Sequence, residues 1–126
     1  MMSETDLMAV VRDYLAAMEN RDMEACLAFF TDDAEIDFQE GRFVGQEGVR
    51  EWHEDRFLAD LRLLEIEEMR REETDRVVVD VVVASEALRV WRMDRLAGTV
   101  TFAFRGDKIQ EATFGLRMYN EGLWQV

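Results

Sequence analysis

Residues 77 to 83 are valine at every position except Asp80. A strand that is apolar on both faces is ordinarily covered on both faces. The chain must therefore fold in layers around this segment. One layer is supplied upstream, because residues Leu7 to Phe57 carry apolar side chains at helical spacing. From about Asp60 onward the chain reads as strand. In a chain of 126 residues, these helices can cover one side of a sheet only. The other side is expected to meet a second copy, giving a homodimer through the sheet.

The helical half divides into three. Ser3-Glu4-Thr5-Asp6 has the pattern of a capping box, with Ser3 accepting from the Asp6 amide. Leu7, Val10, Val11, Tyr14, Leu15 and Met18 then form one apolar face. Tyr14 sits in the middle of that face, so its hydroxyl needs a partner if buried. Asn20 and Arg21 end this helix, and Asp22 can cap a second with Met23, Cys26, Leu27 and Phe30 as its stripe. Cys26 reads as packing. A third helix opens at Gly45 to Gly48, with Val49, Trp52, His53 and Phe57 on one face. The single histidine therefore points toward the apolar side.

Asp32-Asp33 interrupts the helical pattern. Ala34 to Phe38 alternates, with Ile36 and Phe38 on one face and Glu35 and Asp37 on the other. Glu40-Gly41-Arg42 is a turn candidate leading to Phe43 and Val44. Arg62 to Glu73 is a charged strand with Leu64 and Ile66 on one face, turned by Thr74-Asp75. In the valine strand, Val77, Val79, Val81 and Val83 are assigned to the inner face. Asp80 then lies outside against an arginine, or else it is a desolvated carboxylate with a raised pKa that suits a general base. Leu88 to Trp91 reads as more strand or a hairpin arm, and Arg92 to Arg95 as a turn. Leu96 to Arg105 carries Val100, Phe102 and Phe104 on one face. Arg105-Gly106-Asp107-Lys108 is the clearest hairpin turn. The last strand, Ile109 to Asn120, shows Ala112, Phe114, Leu116 and Met118 together.

Composition narrows the class. A hydrophobic content of 48% argues against disorder and for a single packed domain over residues 1–126. The net charge of −13 repels phosphate backbones and anionic membrane surfaces, so neither nucleic acid nor membrane is expected as a partner. No apolar run approaches the ~20 residues of a membrane span. No basic-then-apolar segment opens the chain, and the lone Cys26 allows no intramolecular disulfide, which together point to the cytoplasm.

A family resemblance rests on Tyr14-Leu15, Asn20-Arg21-Asp22-Met23-Glu24-Ala25, Phe30-Thr31-Asp32-Asp33-Ala34, Phe43-Val44-Gly45-Gln46-Glu47-Gly48-Val49 and Gly106-Asp107-Lys108-Ile109. In these segments the chain resembles the SnoaL-like branch of the nuclear transport factor 2-like superfamily. The resemblance implies an α+β, cone-shaped, cystatin-like fold, with three N-terminal helices packed on a curved, mainly antiparallel sheet. The superfamily holds polyketide cyclases, ketosteroid isomerases, dehydratases and epoxide hydrolases. It also holds non-catalytic binding and association domains, so fold does not fix function. Against the isomerases, Tyr14 matches an oxyanion tyrosine and His53 the position of a second pocket tyrosine. The two acidic catalytic positions fall on Phe38 and Val100, both apolar. A one-residue bulge in the first strand would instead turn Asp37 inward as the base.

Two readings follow. In the first, Tyr14 and His53 meet inside a cavity and hold a carbonyl or enol oxygen, Tyr14 donating and His53 exchanging a proton, with Asp37 in reserve. The reaction would be a cofactor-independent isomerisation, cyclisation or dehydration of a small carbonyl or polycyclic compound. In the second, the chain is a ligand-binding or dimerisation module without chemistry, and His53 is a satisfied core residue. Met18, Phe30, Phe38, Trp52, Phe57, Trp91, Phe102, Phe114 and Met118 either line a cavity for a small hydrophobic molecule or fill it. One histidine and one cysteine make no common zinc site, and no metal or cofactor is expected. Gly45-Gln46-Glu47-Gly48 has no lysine for phosphate and reads as a helix start.

Overall fold

The computed structural model describes residues 6–38 and 41–116. The capping box expected at Ser3, the position of Glu40 in the expected turn, and Met118 lie outside the described residues. Helices α1 (Leu7–Glu19) and α2 (Met23–Ala28) come first, then the hairpin β1 (Phe30–Phe38) and β2 (Gly41–Val44), then α3 (Gly45–Leu58). Strands β3 (Arg62–Glu72) and β4 (Arg76–Ala84) follow, then the short helix α4 (Glu86–Val90), β5 (Leu96–Arg105) and β6 (Lys108–Leu116). The expected α+β architecture forms, with a fourth helix where Leu88 to Trp91 was expected to be strand. Ser85 caps α4 by accepting from the Leu88 amide.

The six strands make one sheet in the order β2-β1-β6-β5-β4-β3. All neighbours are antiparallel except β1 and β6, which run parallel. That pairing places the first strand beside the last. Strand β1 also runs through Thr31-Asp32-Asp33, ahead of the alternation that the sequence shows from Ala34. The ladder slips between Phe30 and Glu35, where β1 advances five residues against two of β6, more than the one-residue bulge considered from the sequence.

The helices end in a recurring way. At α1, the Asp22 amide donates to Ala17 O and the Arg21 amide to Met18 O, with Arg21 at φ 55°. At α3, Leu61 donates to Arg56 O and Asp60 to Phe57 O, with Asp60 at φ 56°. These are Schellman ends built on non-glycine residues, a conformation that costs about 1–2 kcal/mol per residue. The two strained residues pair with each other: Arg21 Nη2 lies 2.7 Å from Asp60 Oδ1 and also donates to Leu61 O. This contact ties the C-terminal ends of α1 and α3 together.

Inward-facing residues follow the two-residue period on β4 and β5. Val77, Val79 and Val81 join Val100, Phe102 and Phe104 in the core with Leu7, Val11, Tyr14 and Leu15 of α1. On β3 the expected face is displaced. Bulges between Leu63 and Glu65 and between Ile66 and Glu68 shift the register, so Leu63 and Met69 pack on the core while Leu64 and Ile66 are exposed. On the outer side, Asp80 accepts from Thr99 Oγ1 at 2.9 Å and faces Arg70 at 3.6 Å, as the arginine-paired reading expects. Val78 and Val82 are each only 5% exposed within a single chain. They stand between cross-strand neighbours, Arg70 and Thr101 for one, Glu65 and Ala97 for the other. The valine run therefore does not need a second subunit to cover its outer face.

Candidate functional site: a cavity between helices and sheet

Helix α3 positions the site. Gly45 enters it at φ 76°, a value that suits glycine. Gly48 lets the helix lie directly on β2, since a Cβ there would come within 2.9 Å of the Phe43 carbonyl carbon. From this close seat α3 turns Val49, Trp52 and His53 into the interior.

His53 and Tyr14 do meet. The Tyr14 hydroxyl lies 2.7 Å from His53 Nε2, and His53 Nδ1 lies 2.7 Å from Val49 O. A carbonyl oxygen only accepts, so Nδ1 carries the ring proton and Nε2 presents its lone pair to the Tyr14 hydroxyl. Both side chains are wholly buried. Phe29, Phe30 and Phe102 approach Tyr14 edge-on, and Phe30, Trp52 and Phe57 surround His53. Burial pushes the imidazole down to about 4, against a weaker upward pull from the Val49 hydrogen bond. Burial likewise raises the Tyr14 phenol well above its ordinary value, with a smaller push from Cys26. The pair is neutral near pH 7, and each polar hydrogen already has an acceptor.

A cavity of about 370 Å³ lies beside this pair, not around it. Its walls come from α1 (Leu15, Met18, Glu19), α3 (Trp52, Arg56, Phe57), the following loop, and the sheet (Phe38, Val81, Val83, Val100, Phe114). Leu88 of α4 closes part of it. Tyr14 and His53 are absent from its lining. His53 packs instead against Trp52 and Phe57, which do line it.

The other expected site residues separate accordingly. Met18, Phe38, Trp52, Phe57 and Phe114 line the cavity. Phe30 and Phe102 are buried against Tyr14 and do not line this cavity; Phe30 borders a separate, open cleft with Leu27 and Gln46. Trp91 does not reach the cavity: it is 76% exposed at the end of α4, where Arg92 at φ 62° turns the chain away. Asp37 points outward. The register slip in β1 comes before Glu35, so Ile36 stays buried, Phe38 meets Trp52 and Phe114 edge-on, and Asp37 faces Arg42 at 4.0 Å. Phe38 and Val100 both line the cavity.

Sequence reasoning missed Arg56 and Glu19. Arg56 lies four residues after Trp52, on the same side of α3. Its guanidinium carbon sits 4.5 Å from the centre of the Phe38 ring and 5.5 Å from that of Trp52. Glu19 Oε2 accepts from the Leu63 amide, and Oε1 faces Arg62 at 4.0 Å. Cys26 is buried, its thiol raised to about 12 by desolvation and by Asp22, and it is inert packing. Among the described residues no group of three or more His, Cys, Asp or Glu could hold a metal ion, and no helix is long and apolar enough to cross a membrane.

Comparisons with known proteins bear on the fold. A family model described as "SnoaL-like domain" matches residues 11–112. No curated protein sequence matches the chain. Among solved structures, the epoxide hydrolase/cyclase-like enzyme SalBIII, described in pyran ring formation in the polyether salinomycin, aligns with a TM-score of 0.78. It shares 18% identity, over 89% of this chain and 91% of that one. A protein from Sphaerobacter thermophilus aligns with a TM-score of 0.73 and 23% identity, over 86% and 94% of the two chains. An NTF2-like protein of unknown function from Cytophaga hutchinsonii gives 0.72 and 12%, over 99% and 100%. At these identities the likeness concerns the fold.

Proposed function

The chain belongs to the SnoaL-like domain family, and from that premise we propose that the cavity is a binding pocket for one small, mostly apolar molecule. The observation that carries this reading is the hollow of about 370 Å³ under a predominantly apolar wall. Its volume falls at the lower end of the roughly 300–1,000 Å³ usual for small-molecule sites. A solid core of this composition would close such a space, because packing contacts are lost wherever a wall has no partner.

The geometry favours binding over acid–base chemistry by the Tyr14–His53 pair. A catalytic donor must reach the reacting atom directly or through one water. Here the phenol proton is committed to His53, the imidazole proton to Val49, and neither residue lines the cavity. The pair serves as scaffolding for the pocket wall. The further proposal of a homodimer through the sheet draws on exposed Leu64 and Ile66 of β3. Sedimentation at micromolar concentration tests it, a single monomer species counting against it.

The pocket reading is tested with 2-acetylnaphthalene, a compact aromatic ketone, by calorimetric titration. Wild-type protein should bind it with 1:1 stoichiometry. Val83→Trp, which fills the cavity from its sheet wall, should abolish binding while leaving the circular dichroism spectrum unchanged. Unaltered binding to a folded Val83→Trp variant would remove the pocket reading.

A further inference from the structure

The cavity wall is apolar but not neutral in its hydrogen bonding. Two side chains of the wall, Trp52 and Arg56, each carry a buried N–H group, Nε1 and Nε, without a partner among the described residues. Both are donors, so a group that satisfied them would be an acceptor. An unsatisfied buried donor is destabilising, and here two of them belong to neighbouring side chains of one wall. No ion pair joins Arg56 to a described carboxylate. The other ionisable group of the lining, Glu19, is already engaged by the Leu63 amide and Arg62.

Arg56 is also held in place. Its guanidinium lies over Phe38 and near Trp52, both of which line the cavity. Stacking of this kind orients the planar fork and leaves its edge free for a carboxylate. Burial lowers the guanidinium from its ordinary value, partly offset by Asp55, yet arginine remains protonated at neutral pH. The net charge of −13 repels anions at long range. That repulsion is screened beyond about 8 Å at physiological salt, whereas a contact with Arg56 is local and partly desolvated.

Resting on the pocket reading above, we propose that the ligand is an apolar monoanion, a hydrophobic body bearing one carboxylate or similarly charged oxygen group, and that Arg56 receives that group. The apolar body occupies the space between Met18, Phe57 and Val83. The charged end lies against the Phe38–Trp52 side, where Arg56 supplies its fork and Trp52 a further donor.

The test compares 2-naphthoate with 2-acetylnaphthalene, near-identical in shape and differing in charge. Wild-type protein should bind the carboxylate more tightly by roughly tenfold or more, as charge-assisted hydrogen bonds allow. Arg56→Met, which keeps an apolar stem, should erase that preference while still binding the ketone. Arg56→Lys should keep part of it. Should Arg56→Met fail to fold, Arg56→Gln and the salt dependence of the wild-type preference carry the same test. Equal affinity for the two probes in wild type, or a preference that survives loss of Arg56, overturns the inference and leaves the pocket standing. Failure of both probes to bind overturns the pocket reading, and the inference with it.

Discussion

Two polar constellations lie on either side of Trp52, and they are built on opposite terms. Behind it, Tyr14 and His53 are wholly buried and every polar hydrogen has an acceptor. In front of it, Arg56 lines the cavity, and its Nε and the indole N–H of Trp52 are buried donors without a described partner. A polar group enclosed with its partner reports on folding; a polar group enclosed without one reports on something still to be bound. The sequence favoured the first constellation as the site because it contains the rare residue types. The second, made from one of many arginines, is the one that faces open space.

The comparison breaks most readily at His53, and the lever is pH. Its folded-state pKa of about 4 lies below the ordinary histidine value of roughly 6.5. In the window between these values the unfolded chain binds the proton and the folded chain does not. Stability is therefore unaffected by His53 above about pH 6.5 and falls as pH drops toward 4. At about 1.4 kcal/mol per unit the full loss is about 3 kcal/mol, of which about 2 falls between pH 6.5 and 5, above most carboxylate titrations. Urea unfolding at pH 6.5 and pH 5 should show this loss in wild type and not in His53→Gln. An equal slope in the two proteins would mean that the imidazole reaches solvent, and the contrast drawn here would fail.

Tyr14→Phe sharpens the same side. The ring shape is kept, but His53 Nε2 is left as a buried acceptor without a donor, a loss of about 1–3 kcal/mol. Binding of 2-acetylnaphthalene should stay within about twofold of wild type, because Tyr14 does not line the cavity. A variant that keeps its stability and loses the probe would return Tyr14 to the site.

These residues also show what could be read from the sequence. Periodicity located the three main helices and most strands, since apolar spacing reflects which face is buried. It assigned Val77, Val79 and Val81 to the inner face correctly, and put Trp52, His53 and Phe57 on one side of α3. Periodicity does not report depth. Phe102 shares a face with Val100 of the cavity wall yet is buried in the core, and Tyr14 and His53 are buried without lining the cavity. Nor does it report slips of register: two bulges in β3 exchange Leu64 and Ile66 for Leu63 and Met69. Five residues are too few to show a helical period, so α4 read as strand and Trp91 as a cavity residue. Arg56 escaped notice because a charged residue on a helix is ordinarily solvated. Its spacing from Trp52 and Phe57 was the available signal.

The smallest expected effect is on the stability of Arg56→Met, and its smallness is informative. A structural arginine would hold an ion pair or hydrogen bond whose loss leaves a partner stranded, as loss of Tyr14 strands His53. Arg56 has no such described partner. Methionine removes an unpaired Nε donor, which favours the variant, and forfeits the contact with Phe38, worth roughly 0.5–2 kcal/mol. The two changes oppose each other, so urea unfolding at pH 7 should place the variant within about 1 kcal/mol of wild type. A loss as large as that of Tyr14→Phe would show that Arg56 braces the wall as Tyr14 and His53 do. The two sides of Trp52 would then be alike, and the unmatched donors would cease to mark a site.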